Sequence, residues 1–219
     1  NHDQIGNRKY GERLISLTGY ETAKLVAGTM FVTPNVPMLF MGEEYGERNP
    51  FLYFVSHLDP HLNKLVRKGR SEEFKDFDDD DKEAPDPASP DTFMQSKLSW
   101  KIAEDDHKKT MLFYYKELIS LRKSHPVLQV ADKDNLEISE EGELFTLRRW
   151  KGGDIVLCFM NFSEEDQTAW IPEKIEGALK KILDSAQTRF LGPGETSPES
   201  VHPGESIKVV KKSIVIYSN

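Results

Sequence analysis

Apolar side chains recur at helical spacing over residues 19–32, where Leu25, Val26, Met30 and Phe31 share a stripe with Ala23 and Ala27 before Thr33-Pro34 stops the run. This pattern predicts one amphipathic helix. A second predicted helix runs from about Asp106 to Ser124, with Leu112, Tyr115, Leu118, Ile119 and Arg122 at helical intervals. Acidic Asp105 and Asp106 stand at its start, Lys123 and His125 at its end, and Pro126 terminates it. Between the two, residues 37–42 form a continuous apolar block bounded by Pro37 and Gly42. Such a block predicts a strand buried on both faces, as in parallel sheets covered by helices. Residues 43–106 are polar and too long for an ordinary connection. A short helix is predicted within them at residues 61–77, followed by an Asp- and Pro-rich loop at residues 78–91.

Beyond Pro126 the period changes to two. Residues 144–150, 155–160, 168–171, 179–183, 207–210 and 214–217 read as short strands separated by Gly, Asn, Asp or Pro turns. The expected architecture is therefore α/β in residues 1–125 and a small antiparallel β domain in residues 126–219, with the boundary near Pro126. The 37–41 strand needs parallel neighbours, and the faces of both long helices need a sheet to cover. Association with further segments that complete such a sheet, or self-association through exposed edges, is the expected consequence.

Composition narrows the function. Hydrophobic residues make up 37% and charged residues 30%, the profile of a folded chain rather than a disordered one. A net charge of -8 argues against a surface that tracks nucleic-acid phosphates, and a neutral ligand fits better. No apolar run approaches the roughly 18 residues that a membrane span needs. The single cysteine, Cys158, lies in a predicted strand, reads as a small core residue and is compatible with a reducing cytoplasm. The chain lacks an initiator Met and opens on Asn1-His2-Asp3-Gln4, as if starting mid-protein.

An amide, an imidazole and a carboxylate stand side by side in that opening tetrad, which suits either a cap with a structural His or an active-site mouth. Asn1-His2-Asp3-Gln4-Ile5-Gly6-Asn7-Arg8, then Gly11-Glu12-Arg13-Leu14, then Pro37-Met38-Leu39-Phe40-Met41-Gly42-Glu43-Glu44-Tyr45-Gly46, resembles the last third of the α-amylase superfamily barrel, glycoside hydrolase family 13. Pro50 to Phe54, His57-Leu58-Asp59-Pro60, Val66 to Arg70 and Ser96 to Trp100 narrow the likeness to the malto-oligosyltrehalose trehalohydrolases, over roughly residues 1 to 125. The resemblance implies a fold made of the carboxyl-terminal part of a (β/α)8 TIM barrel followed by an antiparallel β-sandwich. It places residues 1–3 at the end of the seventh strand, with Asp3 as the third catalytic carboxylate, a transition-state stabiliser, and His2 as a donor to the sugar. It also implies that His2, Asp3, Gln4, Ile5, Gly6 and Asn7 form one wall of the substrate site.

The implied activity of the full-length form is retaining hydrolysis of the α-1,4 bond next to the terminal trehalose of a maltooligosyl trehalose. A retaining mechanism needs a nucleophile and an acid/base about 5 Å apart. The resemblance assigns both to earlier strands that this chain does not contain, so the chain alone is expected to be inactive. A branching or debranching enzyme of the same superfamily, and a non-catalytic glucan-binding fragment, are the alternatives. Glu43 and Glu44 are assigned by the likeness to loop structure and the outer substrate region. Phe51, Tyr53 and Phe54 suit either a sugar-stacking platform or core packing. Asp78 to Asp81 reads as a solvated loop rather than a Ca²⁺ site, and Arg67 and Arg70 as paired surface charges. No metal or cofactor is expected.

Overall fold

The computed structural model describes residues 2–74 and 83–219, so Asn1, the end of the predicted 61–77 helix and the Asp78 to Asp81 run lie outside the described residues. Among the described residues six α-helices precede eight strands: α1 (His2–Gly6), α2 (Leu14–Thr18), α3 (Tyr20–Val32), α4 (Pro60–Glu73), α5 (Pro90–Gln95) and α6 (Asp106–Ser124). The strands are β1 (Leu136–Glu141), β2 (Leu144–Lys151), β3 (Asp154–Asn161), β4 (Gln167–Trp170), β5 (Leu179–Asp184), β6 (Ser200–Val201), β7 (Ser206–Val209) and β8 (Ser213–Ser218). Two compact units result. One comprises Asn1–Thr18, Met38–Glu43 and Glu47–Lys101; the other comprises Gly19–Pro37, Glu44–Gly46 and Ile102–Asn219.

In the first unit the helix starts are written in the sequence. Asp59 accepts from the His61 N–H ahead of α4, Ser89 accepts from the Asp91 N–H ahead of α5, and each helix has Pro in its first turn, where the missing N–H costs nothing. The strand expected at residues 37–42 does not form: residues 36–40 are irregular, and Met38 and Met41 are 66% and 45% exposed. A parallel strand is held by hydrogen bonds to neighbours, and every strand pair among the described residues is antiparallel and drawn from residues 136–218.

In the second unit a six-stranded sheet, ordered β1-β2-β3-β8-β5-β6, packs against the two-stranded sheet β4-β7. Leu157 and Phe159 of β3, Val215 and Tyr217 of β8, and Ile207 and Val209 of β7 fill the core between them. The opposite face of β3 and β8 carries Val156, Cys158, Ile214 and Ile216, all buried, and α3 packs on these strands and on α6. Both faces of the central strands are thus covered, which explains why β3 and β8 are apolar throughout rather than alternating. The long helices do not wait for a barrel sheet, as the sequence suggested for them: α3 packs on the antiparallel sheet, and α6 packs on α3 and on residues 188–190.

Close approach of α3 to β8 depends on Gly28. A Cβ there would lie 2.6 Å from Cγ2 of Ile214 and 2.9 Å from the Tyr114 hydroxyl. That hydroxyl is buried and donates to the Lys24 carbonyl at 3.1 Å. Lys24, itself buried, donates from Nζ to the carbonyls of Ser185 (2.8 Å) and Phe190 (3.0 Å) and pairs with Glu21 at 2.9 Å. Burial pulls its ammonium down from the usual lysine range while Glu21 pulls it back up. At the other end of α3, Arg122 donates to the carbonyls of Phe31 and Thr33 at 2.7 Å each, and Arg149 to Val32 at 2.8 Å. Two guanidiniums therefore satisfy the carbonyls a helix leaves unpaired at its C-terminus. Gly28→Ala is expected to lower the unfolding free energy by about 1–3 kcal/mol through overpacking, read from the midpoint of a urea titration.

Candidate active site

The segment carrying His2 and Asp3 is a single helical turn held from below. The Asn7 N–H donates to the Asp3 carbonyl at 3.4 Å, Arg8 to Ile5 at 3.1 Å and Gly11 to Arg8 at 3.3 Å. Ile5 and Gly6 are buried, whereas His2, Asp3, Gln4 and Asn7 are exposed. His2 Nε2 lies 3.0 Å from Asp3 Oδ1, with the two side chains 71% and 56% exposed. The wall expected from the sequence therefore divides, four polar side chains facing solvent and two residues anchoring them. Gly6 is not where the backbone comes closest: a Cβ there would sit at an ordinary 3.6 Å from the Phe51 ring. The demanding glycine is Gly11, with φ of +59° and a would-be Cβ 2.3 Å from the Phe51 carbonyl oxygen. The Phe51 N–H donates to the Gly11 carbonyl at 2.8 Å, which pins the two stretches together.

Arg70, expected at the surface, is 7% exposed and reaches this segment from α4. Its Nη2 donates to the carbonyls of Gly6 (2.8 Å) and Arg8 (3.0 Å), and Nη1 donates to Glu73 at 2.7 Å. The guanidinium also lies over the Phe74 ring at 4.5 Å and the Tyr53 ring at 5.0 Å. It thereby ties the polar insertion to the turn that carries His2 and Asp3. Read locally, Arg70 is only a cation one turn from Glu73; the carbonyls it serves are more than sixty positions away, and no local pattern shows them. Arg67, by contrast, is exposed and pairs with Asp86 at 2.6 Å.

The aromatic cluster resolves in the same way. Phe51 meets Phe40 edge to face at 5.0 Å and Phe54 at 5.8 Å, and Phe54 meets Phe93 at 5.2 Å. These rings pack on one another, and Tyr53, 41% exposed, carries the Arg70 contact. An open hollow of about 400 Å³ lies beside the turn, lined by Gln4, Ile5, Arg8, Glu12, Leu14, Leu17 and Glu43. Arg8 and Glu12 pair across it at 3.1 Å, and Glu43 accepts the Phe40 N–H at 2.9 Å.

Behind that hollow two buried charges organise a loop with little regular structure. Arg13, 2% exposed, donates to the carbonyls of Asn49 (2.6 Å) and Met41 (2.8 Å) and covers the Phe40 ring at 5.4 Å. Glu47, 1% exposed, accepts from the N–H groups of Arg48, Asn49 and Ser99 at 2.8, 3.0 and 2.7 Å, and from the Ser99 hydroxyl at 2.8 Å. Burial alone would raise its carboxyl, but these donors outweigh burial and hold it at about 2.

No family model matches the chain. In sequence it is similar to a malto-oligosyltrehalose trehalohydrolase of Rhizobium sp. (strain M-11), 40% identical over 164 residues, covering 75% of this chain and 27% of the relative. It is similar also to one of Saccharolobus solfataricus, 48% identical over 125 residues, covering 57% of this chain and 20% of the relative. The chain thus spans about a quarter of the length of the curated relatives it matches. In structure it is similar to a Salmonella typhimurium protein assigned as an alpha amylase, with a TM-score of 0.78 and 32% identity over 100% of this chain and 34% of that one. The α-amylase of Geobacillus thermoleovorans, complexed with acarbose, shares the fold at a TM-score of 0.54 and 13% identity, over 91% of this chain and 33% of that one.

Two outcomes are expected from these contacts. Arg70→Gln should lower unfolding free energy by about 2–4 kcal/mol, because it leaves two carbonyls and Glu73 without their buried donor, measured by urea titration at neutral pH. Glu47 is held at about 2 when folded against an ordinary value of 4.5, so its stabilisation is present in full above about 4.5. It is lost as pH falls toward 2. The difference is on the order of 3 kcal/mol, and Glu47→Gln should remove it, flattening stability against pH across that window.

Proposed function

We propose that this chain, related in sequence to the malto-oligosyltrehalose trehalohydrolases and in fold to the α-amylases, is the carboxyl-terminal part of a retaining glycoside hydrolase that releases trehalose from maltooligosyl trehalose. The sequence identity to several trehalohydrolases carries this proposal. Residues 1–125 are then the end of the catalytic barrel and residues 126–219 its following β domain. The exposed apolar side chains of Leu14, Leu17, Met38 and Met41 in the first unit suit a face that the remaining barrel segments cover. No helix among the described residues is long and apolar enough to cross a membrane, and we place the protein in the cytoplasm.

In this mechanism Asp3 stabilises the oxocarbenium-like transition state and His2 donates to the sugar beside it. Positive charge develops at the ring as the glycosidic bond breaks, and a fixed carboxylate nearby lowers the cost of that charge. The 3.0 Å contact between His2 and Asp3 lets each restrain the other's side chain. Gln4 and Asn7 offer neutral amides, which hydrogen-bond hydroxyls without demanding a counter-charge. Ile5 and Gly6 serve as the buried anchor beneath them. The nucleophile and the acid/base come from segments outside this chain.

Chromatography of products from the longer protein tests the assignment. Trehalose is expected from trehalose-capped maltooligosaccharide and not from uncapped or branched glucan; release of branched or uncapped products alone would overturn it. Asp3→Asn is expected to lower kcat by roughly 10²–10³, the scale of losing one preorganised electrostatic contact, with its thermal unfolding midpoint unchanged.

A further inference from the structure

The outer part of the β domain holds a groove that the proposed active site does not use. One end, about 240 Å³, is lined by Glu137, Ser139, Thr146, Arg148, Pro172 and Lys174, among others. The other end, about 330 Å³, shares Arg148 and Lys174 with the first and continues over Trp150, Glu176 and Asn219. Because they share these residues, the two hollows run into each other.

The floor is set by strand geometry. Thr146, Arg148 and Trp150 stand two apart on β2, project from one face, and extend roughly 13 Å along it. Pairing with β1 brings Glu137 opposite Arg148 and Ser139 opposite Thr146. A row of hydroxyls, then an ion pair, then an indole results. Glu137 takes Arg148 Nη1 at 3.2 Å and also Lys174 Nζ. With Glu176 the groove carries two cations and two anions, so it has no excess charge to draw a phosphate or carboxylate.

Its remaining offer is fixed N–H donors, hydroxyls and a partly exposed indole, with the Arg148 guanidinium 4.6 Å from the ring centroid on one side. An apolar ring face flanked by restrained polar groups in a charge-balanced groove matches a neutral, hydroxyl-rich ring, whose C–H face packs on the indole while its hydroxyls meet the flanking donors. We propose that this groove is a second saccharide site, binding a stretch of α-linked glucan away from the bond that is cut. The choice of glucan rests on the function proposed above; the groove itself does not.

Calorimetric titration of this chain with maltoheptaose tests it. Saturable binding is expected, weakened about tenfold or more by Trp150→Ala and also by Lys174→Ala, a change on an exposed side chain that leaves the core intact. Trp170→Ala, on the other sheet and 63% exposed, is expected to leave affinity unchanged. No binding by the folded chain, or binding that neither Trp150→Ala nor Lys174→Ala weakens, would overturn the site. Maltoheptaose bound at the groove, with no trehalose released by the longer protein, would sink the hydrolase assignment alone.

Discussion

Buried and half-buried guanidiniums that donate to backbone carbonyls hold this protein together where regular structure does not. A helix C-terminus or an irregular loop leaves carbonyls unpaired, and burying them without a donor costs more than a typical hydrogen bond returns. In the first unit Arg13 serves Met41 and Asn49, and Arg70 serves Gly6 and Arg8. In the second, Arg122 serves Phe31, Thr33 and Asn35, and Arg149 serves Val32 and Val130. A planar, always-charged fork reaches two or three carbonyls at once, while Lys24 meets its two carbonyls from a single nitrogen.

That division of labour explains what was legible in the sequence. The helices α3 and α6 and the strand β2 follow from periodicity because each buries a face defined by its own spacing, whereas β3 and β8 show as short, continuously apolar runs between turn residues. Edge strand β1 leaves no clear pattern in the sequence, since Leu136–Glu141 is half-exposed to exposed along its length and pairs, among the described residues, with β2 alone. The 37–42 block misled because an apolar run reports burial, or a face awaiting a partner, without saying what supplies the hydrogen bonds. Arg70 reads as a surface charge in the sequence because the carbonyls it meets lie more than sixty positions away. Of the candidate site, the polar turn at its centre could be read from residue types, but the support beneath it could not.

The consequences for function are local. His2 and Asp3 sit on one exposed turn whose position is set by Gly11 against Phe51 and by Arg70 from α4. The stretch that narrows the likeness to trehalohydrolases, Pro50 to Arg70, is the same stretch that supplies this support. The residues that carry the resemblance and the placement of the His2–Asp3 turn are thereby linked through the Phe51 backbone and the Arg70 guanidinium. The β domain contributes a doubly covered sheet and, at its edge, the groove floored by β2.

Nitrogen-15 NMR of the arginine side chains tests the guanidinium framework most directly. Slow solvent exchange and hindered rotation are expected for the guanidiniums of Arg13, Arg70, Arg122 and Arg149, with rapid averaging for exposed Arg67. Uniformly fast, averaged signals from all of these arginines in the folded chain would contradict the account.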